Sequence, residues 1–289
     1  MDIVSLIAKP GALDAALVDS LRNAWGGGVV VWLSEGEAAE FALLAAPSNF
    51  DAVRADIADQ VDLNLLPAEG RRKAMLLADM DSTMIRQECI DELADAAGVG
   101  DRVKEITARA MNGDLDFEGA LTERVGLLKG LPETVIAEVL ESRITLMPGG
   151  PVLLATMKAH GAHAALVSGG FTAFTTRIAA TLGFDEHRAN SLLVENGHLT
   201  GEVGRPILGR AAKVQALDEI TARLGITPED VLAVGDGAND LGMLQRAGTG
   251  VALHAKPSVQ AQCDIRVNHG DLTALLYLQG YARTEFAAA

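Results

Sequence analysis

Five short apolar runs constrain the fold more than anything else in this chain. They lie at residues 74–78 (AMLLA), 164–167 (AALV), 231–234 (VLAV) and 250–253 (GVAL), with 264–267 (DIRV) grouped with them although Asp264 and Arg266 interrupt it. A run without apolar–polar alternation suits a strand buried on both faces, as in a parallel sheet. Helical stretches separate the runs at 150–160, 171–182, 209–224 and 239–247. This alternation predicts an α/β fold with helices on both faces of a parallel sheet, and ligands held beyond the carboxyl ends of its strands. Aromatics are only 4% of the chain, so Ala, Leu, Val and Ile must fill the core.

Two regions depart from the alternation. Residues 1 to about 70 read as strand, helix, strand, strand, helix, strand, a ferredoxin-like βαββαβ pattern, with Ser48 as the expected cap of the second helix. The polar segment 67–73 (PAEGRRK) is the candidate linker, giving domains of 1–70 and 71–289. Residues 84–147 show no strand and four helical pieces, as expected for a helical cap inserted after the first core strand.

A net charge of −15 disfavours nucleic acid and anionic membranes as partners. A phosphate site in such a chain needs local positive charge or a metal. The two cysteines, Cys89 and Cys263, form no spaced metal motif and suggest a reducing compartment. No signal peptide and no apolar stretch of about 18 residues is visible, so a cytoplasmic location is expected.

The first core run leads directly into Asp79-Met80-Asp81-Ser82-Thr83. A carboxylate can attack phosphorus if the groups are held in line and their repulsion is neutralised. A second carboxylate can act as acid and base. Alone, the pentapeptide reads equally well as an acidic turn. The second run ends in Ser168-Gly169-Gly170, expected as a loop whose hydroxyl and N–H groups face an anion. Lys213 stands early in the 209–224 helix. The third run ends in Gly235-Asp236-Gly237-Ala238-Asn239-Asp240, with oxygen ligands for a hard cation such as Mg²⁺. Each element has a bland local reading; four in this order do not.

These residues resemble the motifs of the haloacid dehalogenase-like hydrolase superfamily over roughly residues 74–270. The resemblance implies a Rossmann-like core and an aspartyl-phosphate mechanism. Asp79 would be nucleophile and metal ligand. Asp81 would be the acid–base, with its main-chain carbonyl on Mg²⁺. Ser168, Gly169, Lys213 and Asn239 would hold the phosphoryl group, Asp236 the metal, and Asp240 would support them. Within the superfamily the pattern is similar to the phosphoserine phosphatases, the enzymes of the last step of serine biosynthesis. Their cap pocket would map onto Glu88, Met111, Phe117 and Arg124. Glu88 would pair with a substrate ammonium and Arg124 with its carboxylate. The N-terminal unit is similar to a degenerate ACT-type domain. Homodimerisation is implied by the resemblance alone. Three other readings stay open: a phosphatase for another small phosphomonoester, a phosphoryl transferase, and a non-catalytic amino-acid sensor.

Overall fold

The computed structural model describes residues 1–111 and 114–288, Met111 by its backbone only. Each apolar run forms a strand. The N-terminal strands are β1 (Asp2–Ile7), β2 (Val31–Ser34), β3 (Ala38–Leu43) and β4 (Asp62–Pro67). They are followed by β5 (Met75–Ala78), β6 (His163–Phe171), β7 (Glu186–Asn190), β8 (Leu192–Glu195) and β9 (His198–Val203). The last three are β10 (Val231–Gly235), β11 (Thr249–Leu253) and β12 (Ile265–Val267). Six of them make the parallel sheet, in the order β12-β11-β10-β5-β6-β7. Every residue of β5 is fully buried, which is why this strand is apolar at each position.

Contacts divide the chain into two units. One comprises Met1–Leu77, Pro148–Ala164 and Leu217–Ala289; the other comprises Ala78–Met147 and Ala165–Ala216.

The first unit contains the N-terminal sheet, antiparallel in the order β2-β3-β1-β4. This is the ferredoxin-like arrangement expected from the βαββαβ pattern. Val4, Leu6, Val18, Leu21, Phe41, Phe50 and Leu63 fill its core. Asp14 caps the first helix, Ala15–Ala24, by accepting from the Ala16 N–H at 2.8 Å. The second helix, Phe50–Asp56, starts one residue later than expected: Asn49, not Ser48, holds the cap position, without a side-chain bond. Polar contacts fasten this sheet to the rest of its unit. The Asp62 carboxylate accepts from the Asn268 and His269 N–H groups, both at 2.8 Å. Asn64 exchanges two hydrogen bonds with the Arg266 backbone, both at 2.9 Å. In the 67–73 segment, Arg71 forks onto Glu40 at 3.1 and 2.6 Å and donates to the Leu278 carbonyl at 3.0 Å. Arg71, in the segment expected as a linker, is thus held by its side chain.

The second unit holds the helical insertion, with helices Cys89–Ala96, Gly100–Met111, Phe117–Gly126 and Thr134–Ser142. The insertion enters and leaves through paired backbone. Ile85 bridges Leu146, and Arg86 N–H donates to Thr145 O at 3.0 Å. Two features here depart from the expectation. β6 continues through Ser168-Gly169-Gly170 to Phe171, and the helix Thr172–Leu182 starts immediately after. The register with β7 shifts between Val167 and Phe171, so the glycines lie in an irregular strand end and not in a loop. Beyond β7, β8 and β9 form a separate antiparallel hairpin.

Candidate active site

Asp79 is the first residue after β5, and Lys213 lies in the helix Arg210–Leu224. Lys213 Nζ sits 2.6 Å from Asp79 Oδ1. The side chains are 2% and 7% exposed, so water screens this pair little. Either charge alone would be costly there, and the structure supplies them together. The arrangement gives an anionic ligand a cation beside a carboxylate.

Asp81 is held at both oxygens. Oδ1 accepts from the Cys89 N–H at 2.8 Å, at the start of the first insertion helix. Oδ2 accepts from the Ser168 hydroxyl at 3.2 Å. Burial, and secondarily the negative charge of Glu88, push the Asp81 carboxyl up to about 6. A carboxyl tuned this way can hold or give up a proton near neutrality. Ser168 Oγ also accepts from Gly170 N–H at 2.9 Å. A Cβ on Gly170 would stand 2.6 Å from Asp81 Oδ2 and 3.1 Å from Ser168 Oγ. Only glycine fits there.

Glu88 is exposed and accepts from the Ser82 hydroxyl at 2.7 Å. Ser82 itself has φ +54°, a left-handed backbone unusual for serine, while its N–H donates to Gln87 O at 3.2 Å. Arg124, half-buried in the helix Phe117–Gly126, donates from Nε to Ala120 O at 3.3 Å. Burial lowers its proton affinity, while Asp91, Glu88 and Asp81 pull it back up. Asp91 is the residue the sequence reading missed. Burial raises its carboxyl, and Arg124 is the largest opposing influence. Phe117 lies against two glycines: a Cβ would stand 3.1 Å from its ring at Gly169 and 3.2 Å at Gly209. Met111 ends the helix Gly100–Met111, and its side chain lies outside the described residues.

In the other unit, Asp236 follows β10 directly and is half-buried. Asp240 is fully buried, and its Oδ2 accepts from Gly237 N–H at 3.0 Å. A Cβ on Gly235 would run into the Asp240 carboxylate, and one on Gly237 into the Asn239 amide. Gly235 is therefore a steric requirement of the buried Asp240 side chain.

The family model of haloacid dehalogenase-like hydrolases matches residues 76–245. The chain belongs to the haloacid dehalogenase-like hydrolase family. Among this hydrolase's relatives, a phosphoserine phosphatase of Archaeoglobus fulgidus is 46% identical over 205 residues. The match covers 71% of this chain and 59% of that protein. The chain spans less than two thirds of the length of the first curated relatives it matches. A crystal structure of a family hydrolase from Salmonella enterica subsp. enterica serovar Typhi superposes with TM-score 0.88 at 33% identity, covering 96% of this chain and 98% of that one. A structure described as a phospho-aspartyl intermediate analogue of phosphoserine phosphatase gives TM-score 0.67 at 42% identity, covering 71% and 98%.

Two further elements of the hydrolase had readable signals. The hairpin turn Asn196-Gly197 is the commonest two-residue hairpin sequence, and both residues have positive φ, +50° and +75°. Asp91 carried only a weak signal, because an acidic residue in the first turn of a helix is expected on dipole grounds alone.

Proposed function

We propose that this hydrolase cleaves O-phospho-L-serine to L-serine and phosphate through an aspartyl-phosphate on Asp79, with Mg²⁺ as cofactor. The buried contact of Lys213 with Asp79 carries the reading. It offers a cation that offsets the repulsion between a phosphate dianion and an attacking carboxylate. Asp79, Asp236 and Asp240 offer the all-oxygen donors that a hard divalent cation takes. Mg²⁺, when bound, would neutralise charge on the phosphoryl oxygens. Asp79 and Asp236 would hold it through their carboxylates and Asp81 through its carbonyl.

Asp79 attacks phosphorus and the bond to the serine oxygen breaks. Asp81, whose carboxyl sits at about 6, gives its proton to the departing alkoxide. Water then attacks the aspartyl-phosphate, Asp81 takes the water's proton, and phosphate leaves. Ser168, Gly169, Lys213 and Asn239 bind phosphoryl oxygens, and Asp240 supports the loop around Asp236. Glu88 binds the ammonium, Arg124 the carboxylate, and Phe117 excludes water. The strand order of the N-terminal sheet supports an ACT-type origin, and its last strand, β4, ends at Pro67, beside the proposed 1–70 boundary.

The test is phosphate release from L-phosphoserine in Mg²⁺ or EDTA, for the wild type and Asp79→Asn. Release only by the wild type in Mg²⁺ is expected. Equal release by the variant would sink the mechanism; release from aryl phosphates but not phosphoserine would sink the substrate.

A further inference from the structure

β12 stands at one end of the six-stranded sheet. Val267 turns its carbonyl toward β11, beyond which His254 N–H donates to it at 2.7 Å. Along a strand, alternate residues direct their main-chain groups to opposite edges, so those of residues 264, 266 and 268 face outward. Each of the three is met by a side chain from the N-terminal sheet and its two helices, here called the N-terminal layer. Arg54 donates from Nη1 to Asp264 O at 2.9 Å. Asn64 donates from Nδ2 to Arg266 O and accepts at Oδ1 from Arg266 N–H, both at 2.9 Å. Asp62 accepts from Asn268 N–H at 2.8 Å. Exchanging both bonds with one residue is what a residue of a neighbouring antiparallel strand does. The Asn64 amide stands where the main chain of a seventh strand would.

The face of the N-terminal sheet that carries these side chains is closed. Ser5 lies opposite Asn64 and Ile7 opposite Asp62, so the four share one face. They are 1%, 0%, 1% and 5% exposed, in that order. The sheet's other face is covered from within the layer, where Val4, Leu6 and Leu63 pack with Val18, Leu21 and Phe50. An antiparallel sheet with helices on one face commonly leaves its second face to solvent. Here that face is buried, and a Cβ on Gly270, just past β12, would stand 3.3 Å from Ile7 Cγ2. All of these residues belong to the first unit.

We propose that the outer edge of β12 is a strand-pairing surface, that the N-terminal layer is its resident partner, and that the occupant this layer keeps out is the same edge of a second copy of the chain. An open strand edge presents a row of unpaired N–H and C=O groups on which another chain can pair. Two identical edges related by a two-fold axis are self-complementary, so a second copy is the partner always at hand. β12 spans only Ile265–Val267, short enough for three side chains to close its edge without a strand. This gives Asp62 and Asn64 a reason to be polar on a buried face. The inference does not depend on the function proposed above.

Sedimentation velocity of the full chain over a range of concentrations tests the proposal. The double variant Asp62→Ala/Asn64→Ala should self-associate about tenfold more tightly than the wild type, whatever association the wild type itself shows. Adding Arg266→Pro removes the central outward N–H, which a proline on an edge strand can lack without breaking the inner ladder. The triple variant should return to the wild-type value. No gain in the double variant would mean that the edge is not a pairing surface, and a gain that survives Arg266→Pro would place the contact elsewhere; either result overturns the proposal. Should the double variant not fold, amide exchange of the wild type in sub-denaturing urea decides. β1 is the reference, because it is paired on both sides within the N-terminal layer. The Arg266 and Asn268 amides, bonded to Asn64 and Asp62, should exchange within about tenfold of the Val4 and Leu6 amides, as groups that open only when the layer itself unfolds. Exchange about 100-fold faster than in β1 would show the edge opening while the layer stays folded, and would end its role as resident partner.

Discussion

The loop after β5 and the charged residues of the insertion, Glu88 and Arg124, are built in opposite ways. Asp79 and Lys213 are closed off from water and locked on each other at 2.6 Å, and Asp81 has both oxygens occupied. Glu88 is exposed and Arg124 only half-buried, with one modest bond from Nε. Groups that act on a phosphate gain from being desolvated and fixed before it arrives, because charge interactions strengthen when water is excluded. Groups that recognise an amino acid must stay open until it binds. On the proposed function, the chemistry is built in advance and the recognition is provisional. Damage to the buried Asp79–Lys213 pair should therefore appear in kcat and in stability together, and damage to Glu88 or Arg124 in KM alone.

The largest effect is expected at the buried pair. Lys213→Met leaves the Asp79 carboxylate without its cation, which should cost about 3–5 kcal/mol of stability, or roughly 10 °C in Tm. Activity should fall by about 10³-fold. Thermal melts beside phosphate-release rates check both at once. A loss of activity with unchanged Tm would mean that the pair is not the closed unit described here.

Asp81→Asn should divide the two properties. Phosphatase activity should drop by about 10²–10⁴, the usual contribution of a general acid–base. Stability should move the other way. The ordinary Asp81 carboxyl value is 3.8 and the folded protein raises it to about 6. Between those values the folded state binds more protons than the unfolded one, so wild-type stability falls as pH rises through that window. The asparagine variant lacks this dependence. In EDTA it should gain roughly 1–3 kcal/mol on the wild type between pH 4 and pH 7, the order set by a shift of about two units in a partly exposed group. Denaturant melts at the two pH values measure this; a stability difference that does not change with pH would overturn it.

The contrast between the two regions also explains what was legible in the sequence. β5 and β10 are buried along their whole length, so their apolar runs stood out, and the carboxylates at their ends were found with them. β7 reads Glu-His-Arg-Ala-Asn because it lies at the sheet edge, where one side is half open, and it left no run to find. Ser168 was placed correctly in sequence but in the wrong element, since two glycines suggest a loop and the strand carries through them. The β8–β9 hairpin had its turn signal, but β8 exposes Leu193 and Val194, and β9 buries only Leu199 and Val203, so neither strand showed the pattern of a buried run. Contacts that depend on three-dimensional approach left no periodic trace. Ser82 on Glu88, Gly170 on Asp81 and the 130–133 segment on the hairpin belong to this class.

On the recognition side the effects are smaller and should separate by substrate. If Arg124 takes the substrate carboxylate as proposed, Arg124→Ala should lower kcat/KM for phosphoserine by about 10–100-fold. An aryl phosphate without that carboxylate should be hydrolysed at the wild-type rate. Equal losses on both substrates would place Arg124 in the chemistry and erase the distinction between the regions.

The smallest and sharpest test is Ser82→Ala. Ser82 lies between the regions: it follows Asp81 in sequence, and its hydroxyl holds Glu88 at 2.7 Å. Alanine keeps the same left-handed backbone at φ +54°, so strain is unchanged and only the hydroxyl is lost. One hydrogen bond to an exposed carboxylate is worth about 0.5–1.5 kcal/mol, a change of roughly 2- to 12-fold. If Ser82 serves recognition, the whole change falls in KM for phosphoserine and none in kcat. If the hydroxyl instead orders the loop that carries Asp81, kcat falls on every phosphate ester. The two outcomes assign the boundary between preset chemistry and provisional recognition to one side or the other of a single oxygen.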